Sequence, residues 1–327
     1  MPEESLCRGR CAGEVLVLRT VFFGTPEFAV PSLRALIGEG FDIAAVVTQP
    51  DRPRGRSRST LIPPPVKVAA LEEGLTVLQP EQPNKPEFIG QLRGVEHDIG
   101  VVVAYGHILK PALLELPARG MYNVHASLLP KFRGAAPIEH TILEGCLESG
   151  VSIMQMEAGM DTGPVLLQVS TPIAPDETGG ELTARLAELG ALALVEALAL
   201  IEVDAVTPEP QDHTQATYAP KITRELTRIR WDEPAQRIAR QVRAFDPKPG
   251  AWTALRDREV KLFGPRLANE WEAEDLPGQV IETDPAFTVA TGEGALQFLD
   301  VQPAGRQRMA ASEWIRGRGA AKGDRFE

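Results

Sequence analysis

The sequence predicts an α/β protein in which a Rossmann-like, mostly parallel sheet domain precedes a small OB-like β-barrel domain, that is, one of the oligonucleotide-binding type. Three observations predict it. Between residues 15 and 124, short apolar, β-branched runs alternate with helical stretches, as parallel strands joined by crossovers do. A long, broadly apolar helical stretch at 179–201 closes that alternation. Beyond Lys221 the texture changes to short strand-like runs separated by turn residues. The implied layout is a flexible extension at 1–14, an α/β domain at 15–203, a linker at 204–221 and a β domain at 222–327.

In chain order, 1–13 is polar, with Gly9, Gly13 and the Cys7/Cys11 pair. Two thiols without a second pair of ligands make a poor zinc site, so an extension is the preferred reading. A strand at 15–23 runs into Gly24-Thr25-Pro26-Glu27-Phe28, which turns the chain into a helix at 28–37 with Gly38 and Gly40 past its end. The turn lacks G-x-G-x-x-G, which favours a plain βαβ start over a dinucleotide site. A strand at 42–48, a long connection at 49–60, a helix at 65–73, a strand at 75–78, a helix at 86–92 and a strand at 99–104 follow. Apolar runs at 121–124 and 151–156 read as further buried strands. The 179–201 helix would bury Leu182, Leu186, Leu189, Leu192, Leu194, Val195 and Leu198. Residues 203–220, rich in Asp, Thr, Gln and Pro, read as an interdomain connection. A helix at about 234–245 then meets the breaker Asp246-Pro247-Lys248-Pro249-Gly250, and strands are expected at about 251–255, 260–263, 278–282, 287–290 and 296–301.

Composition narrows the function classes. A formal net charge of -11 argues against a generic nucleic-acid coat, and the acidity lies entirely in the part up to Lys221. Three cysteines imply no disulfide framework and point to a reducing compartment, the cytoplasm. No apolar run approaches the roughly 20 residues of a membrane span. Against this acidic background, Arg52, Arg54, Arg56 and Arg58 alternate along a Pro- and Gly-containing connection. They read either as a solvated loop or, preferably, as a basic loop placed to meet phosphates. Arg237, Arg240 and Arg243 recur every third residue, and Arg306 and Arg308 follow the last strand, so a basic rim and ordinary solvated charge stand equally there.

The chemistry concentrates between Asp98 and Gly163. In open α/β sheets, ligands bind beyond the carboxyl ends of the strands. Asn123 and His125 stand on one face of the same predicted strand, two residues apart, and Asp161 lies in the glycine-flanked turn Glu157-Ala158-Gly159-Met160-Asp161-Thr162-Gly163. An imidazole can exchange a proton near pH 7, and a carboxylate can fix its tautomer. A carboxamide donates to a developing oxyanion without titrating. On spacing alone, a structural histidine and a turn carboxylate explain the same residues equally well. Ser127 lacks the G-x-S-x-G setting of an activated serine, Cys146 reads as structural, and the five histidines show no metal-binding spacing. Direct attack of a substrate nucleophile on a carbonyl is the transfer these groups suit.

Several motifs carry a resemblance. Asn123-Val124-His125-Ala126-Ser127-Leu128-Leu129-Pro130, Arg133-Gly134-Ala135-Ala136-Pro137 and Gly159-Met160-Asp161-Thr162-Gly163 resemble the signature of the folate-dependent formyltransferases. Phe23-Gly24-Thr25-Pro26-Glu27-Phe28, Thr48-Gln49-Pro50-Asp51-Arg52-Pro53, Val102-Val103-Ala104-Tyr105-Gly106, Ile153-Met154-Gln155-Met156 and Gln302-Pro303-Ala304-Gly305 are similar to the branch acting on aminoacylated initiator tRNA. The likeness spans about 17–308. Ala126 departs from it, standing where many relatives have glycine, but removes no catalytic group.

The resemblance implies transfer of the formyl group of 10-formyltetrahydrofolate to the α-amine of methionine on initiator tRNA, with no metal. It implies catalytic roles for Asn123, His125 and Asp161, and folate contacts from Val102, Val103, Tyr105, Ser127, Leu128, Leu129 and Pro130. It further implies tRNA contacts from Arg52, Arg54, Arg56 and Arg58, stem contacts from the carboxyl-terminal domain, and a cytoplasmic monomer. Two other readings stay open at this stage: formyl transfer to a small amine such as a ribonucleotide or amino sugar, and a non-catalytic RNA- or nucleotide-binding module.

Overall fold

The apolar runs of the first half fold as strands because burial on both faces removes any need for alternation. The computed structural model describes residues 18–54, 60–268 and 275–327, so the expected extension, the start of the first strand, Arg56 and Arg58 lie outside the described residues. The chain divides into two compact units, Met1–Asn123 with Leu194–Pro208 and Val124–Ala193 with Glu209–Glu327.

The first unit carries β1 (Thr20–Gly24), α1 (Val30–Gly38), β2 (Ile43–Val47), the short antiparallel pair β3 (Arg52–Arg54) and β4 (Thr60–Ile62), α2 (Pro65–Glu72), β5 (Val77–Leu78), α3 (Pro86–Arg93), β6 (Ile99–Val103), α4 (Pro111–Leu114) and β7 (Met121–His125). Every residue of β1 and β6 is buried. Helices α1 to α4 each open with proline in the first or second position, where the missing N–H costs no hydrogen bond. The pairings β1–β2, β1–β6, β2–β5 and β6–β7 are all parallel, as the alternating pattern predicts.

The second unit carries β8 (Arg133–Gly134), α5 (Pro137–Leu143), β9 (Glu148–Gln155), β10 (Val165–Pro172), α6 (Gly179–Glu202), β11 (Tyr218–Ala219), α7 (Ala235–Ala244), β12 (Ala251–Leu255), β13 (Arg258–Leu267), β14 (Val280–Glu282), β15 (Thr288–Ala290), β16 (Ala295–Pro303), β17 (Met309–Ala310) and α8 (Ala311–Arg316). Both β7 and α6 run through the division, and the strand order of the main sheet is β10-β9-β7-β6-β1-β2-β5. It is mostly parallel, with β10 antiparallel to β9.

The strand expected at 151–156 begins at Glu148, and β10, an edge strand alternating half-buried and exposed residues, was not expected. Thr178 and Glu181 open α6 with reciprocal bonds, Thr178 N–H to Glu181 Oε2 (2.9 Å) and Glu181 N–H to Thr178 Oγ1 (3.2 Å). Its buried face is narrower than the sequence implied, because Leu192 is exposed. A Cβ on Gly190 would come within 2.9 Å of Val124, so the missing side chain lets α6 lie against β7. Alternation then turns Asn123 and His125 to the other face.

Beyond the connection, an antiparallel sheet runs β12-β13-β16-β15-β14, with β17 added to β16. Trp231, Phe287, Phe298, Trp314 and Phe326 stack and pack edge to face in its core. The buried Trp231 indole donates to Thr253 Oγ1 at 2.9 Å. Among the described residues, no helix is long and apolar enough to cross a membrane.

Candidate active site

His125 ends β7 and is buried, and each of its ring nitrogens has a neighbour. Nε2 lies 3.0 Å from the Phe132 carbonyl oxygen. A carbonyl only accepts, so Nε2 carries the hydrogen and donates. In the neutral ring this leaves Nδ1 as the nitrogen with a lone pair, 3.7 Å from Asp161 Oδ2. Phe132 presents its carbonyl from a left-handed backbone conformation, φ 58°, and its own N–H donates to Thr217 Oγ1 at 2.8 Å.

Asp161 follows β9 and likewise has a positive φ, 53°. Its Oδ2 accepts the Gly134 N–H at 2.8 Å. Gly134 has φ 120°, and a Cβ there would approach the Ala219 carbonyl oxygen to 2.7 Å, so β8 can pair with β11 at this point only as glycine. A Cβ on Gly163, at the other end of the turn, would collide with the Gln155 carbonyl oxygen. Gly134 and Gly163 are thus positions of close backbone approach.

Asn123, two residues before His125, is half-buried, and its carboxamide has no hydrogen-bond partner among the described residues. The structure therefore brings His125 and Asp161 together and leaves a neutral donor on the same strand face.

The turn that follows is satisfied internally. Ser127 Oγ donates to the Lys131 carbonyl at 2.6 Å, and Ser152 Oγ donates to the Ser127 carbonyl at 2.6 Å. The Gln168 amide donates to the Leu129 carbonyl and to Ser152 Oγ, both at 2.8 Å. Ser127 and Leu129 are buried, Leu128 and Pro130 half-buried, so the turn offers apolar side chains and rigid backbone rather than a hydroxyl.

Within the first unit, Val102, Val103 and Tyr105 are all buried. The Tyr105 hydroxyl is buried with no partner among the described residues, and burial pushes it well above the usual phenol range. The Tyr105 carbonyl accepts from Thr25 Oγ1 (2.9 Å) and from Gln49 Nε2 (3.0 Å).

Gln49 also begins the basic segment. Its side-chain oxygen accepts from Arg52, and its carbonyl accepts from Gln79 Nε2 at 2.9 Å. Asp51 is held below the usual carboxylate range by hydrogen bonds from Gln79 and Lys67. Arg52 is exposed, and Arg54 pairs opposite Thr60 in β3–β4.

Four contributors to this site have no individual sequence signal: the Phe132 carbonyl, the Gly134 N–H, the buried Arg133 and Gln211. Arg133 and Gly134 stand in a quoted motif but without a role. Gln211 falls in a stretch whose composition signals only a connection. The structure bonds that stretch to its neighbours, Glu209 exchanging both backbone hydrogen bonds with Val165 at 2.8 Å.

An imidazole with one fixed donor, a carboxylate beside its other nitrogen, and an unpartnered carboxamide on the same strand can stabilise an oxyanion and move one proton. Set on an α/β sheet, these groups are of the types that suit group transfer at a carbonyl carbon. The family model described as formyl transferase matches residues 18–198, and that described as formyl transferase, C-terminal domain, matches residues 221–319. The chain belongs to the formyl transferase family.

It is similar to proteins named methionyl-tRNA formyltransferase from Moorella thermoacetica, at 46% identity over 92% of this chain and 96% of that one, and from Thiobacillus denitrificans, at 46% over 94% and 99%. Its fold is similar to an N-formyltransferase from Helicobacter canadensis solved with folinic acid and dTDP-3-aminofucose. That structure has a TM-score of 0.66 and 19% identity, over 89% of this chain and all of the other. A similar likeness holds for HypX from Aquifex aeolicus solved with tetrahydrofolic acid, at a TM-score of 0.64 and 17% identity, over 91% of this chain and 47% of that one.

Proposed function

We propose that the chain transfers the formyl group of 10-formyltetrahydrofolate to the α-amine of methionyl initiator tRNA, giving N-formylmethionyl-tRNA for translation initiation. The observation that carries this reading is 46% identity, over more than nine-tenths of the chain, to relatives named for that activity. The deciding experiment is formyl transfer measured on methionyl initiator tRNA, with free methionine and uncharged tRNA as controls. Transfer confined to the charged tRNA is the expected result. Transfer to small amines but not to tRNA would overturn the substrate.

In this reading the neutral amine of the substrate attacks the formyl carbon. The Asn123 carboxamide donates to the oxygen that becomes anionic. His125, its Nε2–H held by the Phe132 carbonyl, has the Nδ1 lone pair to take up the proton the amine loses and present it to the charge that develops, and Asp161 stabilises the imidazolium formed when it does. The proton leaving the amine reaches the departing folate nitrogen through His125, Asp161 or water.

Folate contacts are proposed at Val102, Val103 and Tyr105 and at Ser127, Leu128, Leu129 and Pro130. Each group by itself suits a flat heterocycle with polar edges: the first by buried aliphatic surface and a phenol hydroxyl with no partner among the described residues, the second by rigid backbone. The layout of catalytic domain at 15–203, linker at 204–221 and OB-like, tRNA-binding domain at 222–327 belongs to the same proposal, as do the cytoplasm and a monomeric state. The two family matches, ending at 198 and beginning at 221, support that layout.

For tRNA, the Arg52–Arg58 segment would meet the acceptor end, where the ease of opening the stem contributes to selection. Arg56→Ala should lower kcat/KM on charged tRNA about tenfold or more, as loss of a charge-assisted phosphate contact does, while folate binding stays near normal. Equal loss of both would remove the loop from tRNA recognition.

A groove of about 830 Å³ in the second unit is lined by Arg224, Arg228, Arg230, Arg325 and Trp252 together with the acidic Glu225, Asp232 and Glu327. The guanidinium carbons of Arg224 and Arg228 lie 4.3 and 5.5 Å from the Trp252 ring centroid. Cations gathered on an aromatic face suit a nucleic-acid backbone. Arg224→Ala with Arg228→Ala should weaken tRNA binding and reduce the slope of log Kd against log salt by about two. An unchanged slope would place the stem elsewhere.

A further inference from the structure

We infer that Gln211 and Arg133 are positioning residues for the transfer: together they hold the Asp161 turn so that its carboxylate faces His125. The inference rests on the formyl-transfer reading for its kinetic arm. Its structural arm is independent.

The Gln211 side chain is buried and faces two ways. Its Nε2 donates to the Asp161 carbonyl at 2.9 Å and to the Gly163 carbonyl at 2.6 Å, closing the turn across its backbone. Its Oε1 accepts from Arg133 Nε at 3.1 Å and from Arg133 Nη2 at 2.6 Å. A guanidinium can only donate and a peptide carbonyl can only accept, so the orientation of the amide is fixed by its partners. Of the common side chains, only a carboxamide both accepts from a guanidinium and donates to two carbonyls from one planar group. Glutamate would keep the first half, and a cation the second.

Arg133 is itself buried, and no carboxylate lies within ion-pair distance of it among the described residues. Its remaining side-chain partner is His213 Nδ1, 2.9 Å from Nη2. A buried guanidinium committed to neutral acceptors orients those acceptors rather than closing a salt bridge. The neighbouring Gly134 supplies the N–H that holds Asp161 Oδ2. Residues 133 and 134 therefore fix the same aspartate twice, once at the carboxylate and once, through Gln211, at the backbone. The backbone hold matters because Asp161 sits in the left-handed region, a conformation that surrounding structure must sustain.

Gln211→Glu separates a positioning role from a merely structural one. The variant keeps an acceptor for Arg133, now as an ion pair, and loses both donors to the turn. Expected are a kcat about tenfold lower or more, as small misplacements of catalytic groups produce, with KM for folate and tRNA within about twofold; Tm falls as two turn carbonyls lose their donor, and by a similar amount in the Asp161→Asn background. In an Asp161→Asn background, the same substitution should cost less than about twofold further, because both changes act through one group. A wild-type kcat, kcat losses that multiply in the double variant, or a loss carried by KM instead of kcat would each overturn the inference.

The ring 15N signals of His125 read the same contact without turnover. Gln211→Glu should move the Nδ1 signal towards its position in Asp161→Asn and leave the Nε2–H bond to Phe132 intact. An Nδ1 signal unchanged from wild type would overturn the clamp even if the substrate proved to be another amine. A moved signal in a protein that does not formylate tRNA would keep the clamp and reject only the substrate.

Discussion

His125→Ala is expected to reduce single-turnover formyl transfer by about a thousandfold or more. Two losses combine in that figure. Removing a donor to a developing oxyanion costs about 100- to 1,000-fold. Removing the group that moves the proton costs about 100- to 10,000-fold, though the two overlap when one ring does both. The folded state should survive. Val124, on the opposite face of β7, keeps its packing against Gly190 of α6, and Asp161 keeps the Gly134 N–H. The stability cost comes from a small cavity and from the Phe132 carbonyl, which loses the His125 donor and is worth about 1–3 kcal/mol if left buried and unpaired. His125→Gln, which offers an amide donor near the same position, should recover part of that stability and none of the turnover. Rates read beside thermal melts and tRNA binding decide the matter; near-normal turnover in either variant would remove His125 from the chemistry.

The main sheet was legible in the sequence because a doubly buried strand is a continuous apolar run. Ile99–Val103 could hardly fold otherwise, and proline marks the first turn of α1 to α4. β10 was not legible, since a half-exposed edge strand carries the weak alternation that loops also show. The candidate residues could be singled out by type and spacing, which left a structural histidine and a turn carboxylate as an equal reading. What held them could not be: the Phe132 carbonyl and the Gly134 N–H are backbone groups, which any residue possesses, and their use depends on φ values of 58° and 120°. Gln211 was hidden for a different reason. Its partners lie 48 to 78 residues away in the chain, and Gln, Asp, Thr and Pro look alike whether they cross a surface or brace a turn.

Asp161→Asn isolates the second large effect, that of the carboxylate charge. Asparagine is among the few residues that adopt the left-handed region at little cost, so the 53° φ of this position is retained where alanine would add about 1 kcal/mol of strain. An asparagine oxygen can still accept the Gly134 N–H, and Gln211 still bonds the backbone carbonyls, so the turn keeps its shape. What disappears is the negative charge 3.7 Å from Nδ1. With Nε2 already committed to Phe132, the second proton on the ring is stabilised chiefly by that charge, and transfer through an imidazolium should fall by about a hundredfold or more. KM for folate and tRNA and the Tm should change little, because no packing is lost. If instead Asp161→Asn turns over within about threefold of wild type, hydrogen-bonding geometry alone suffices at this position, and the imidazolium has no place in the transfer.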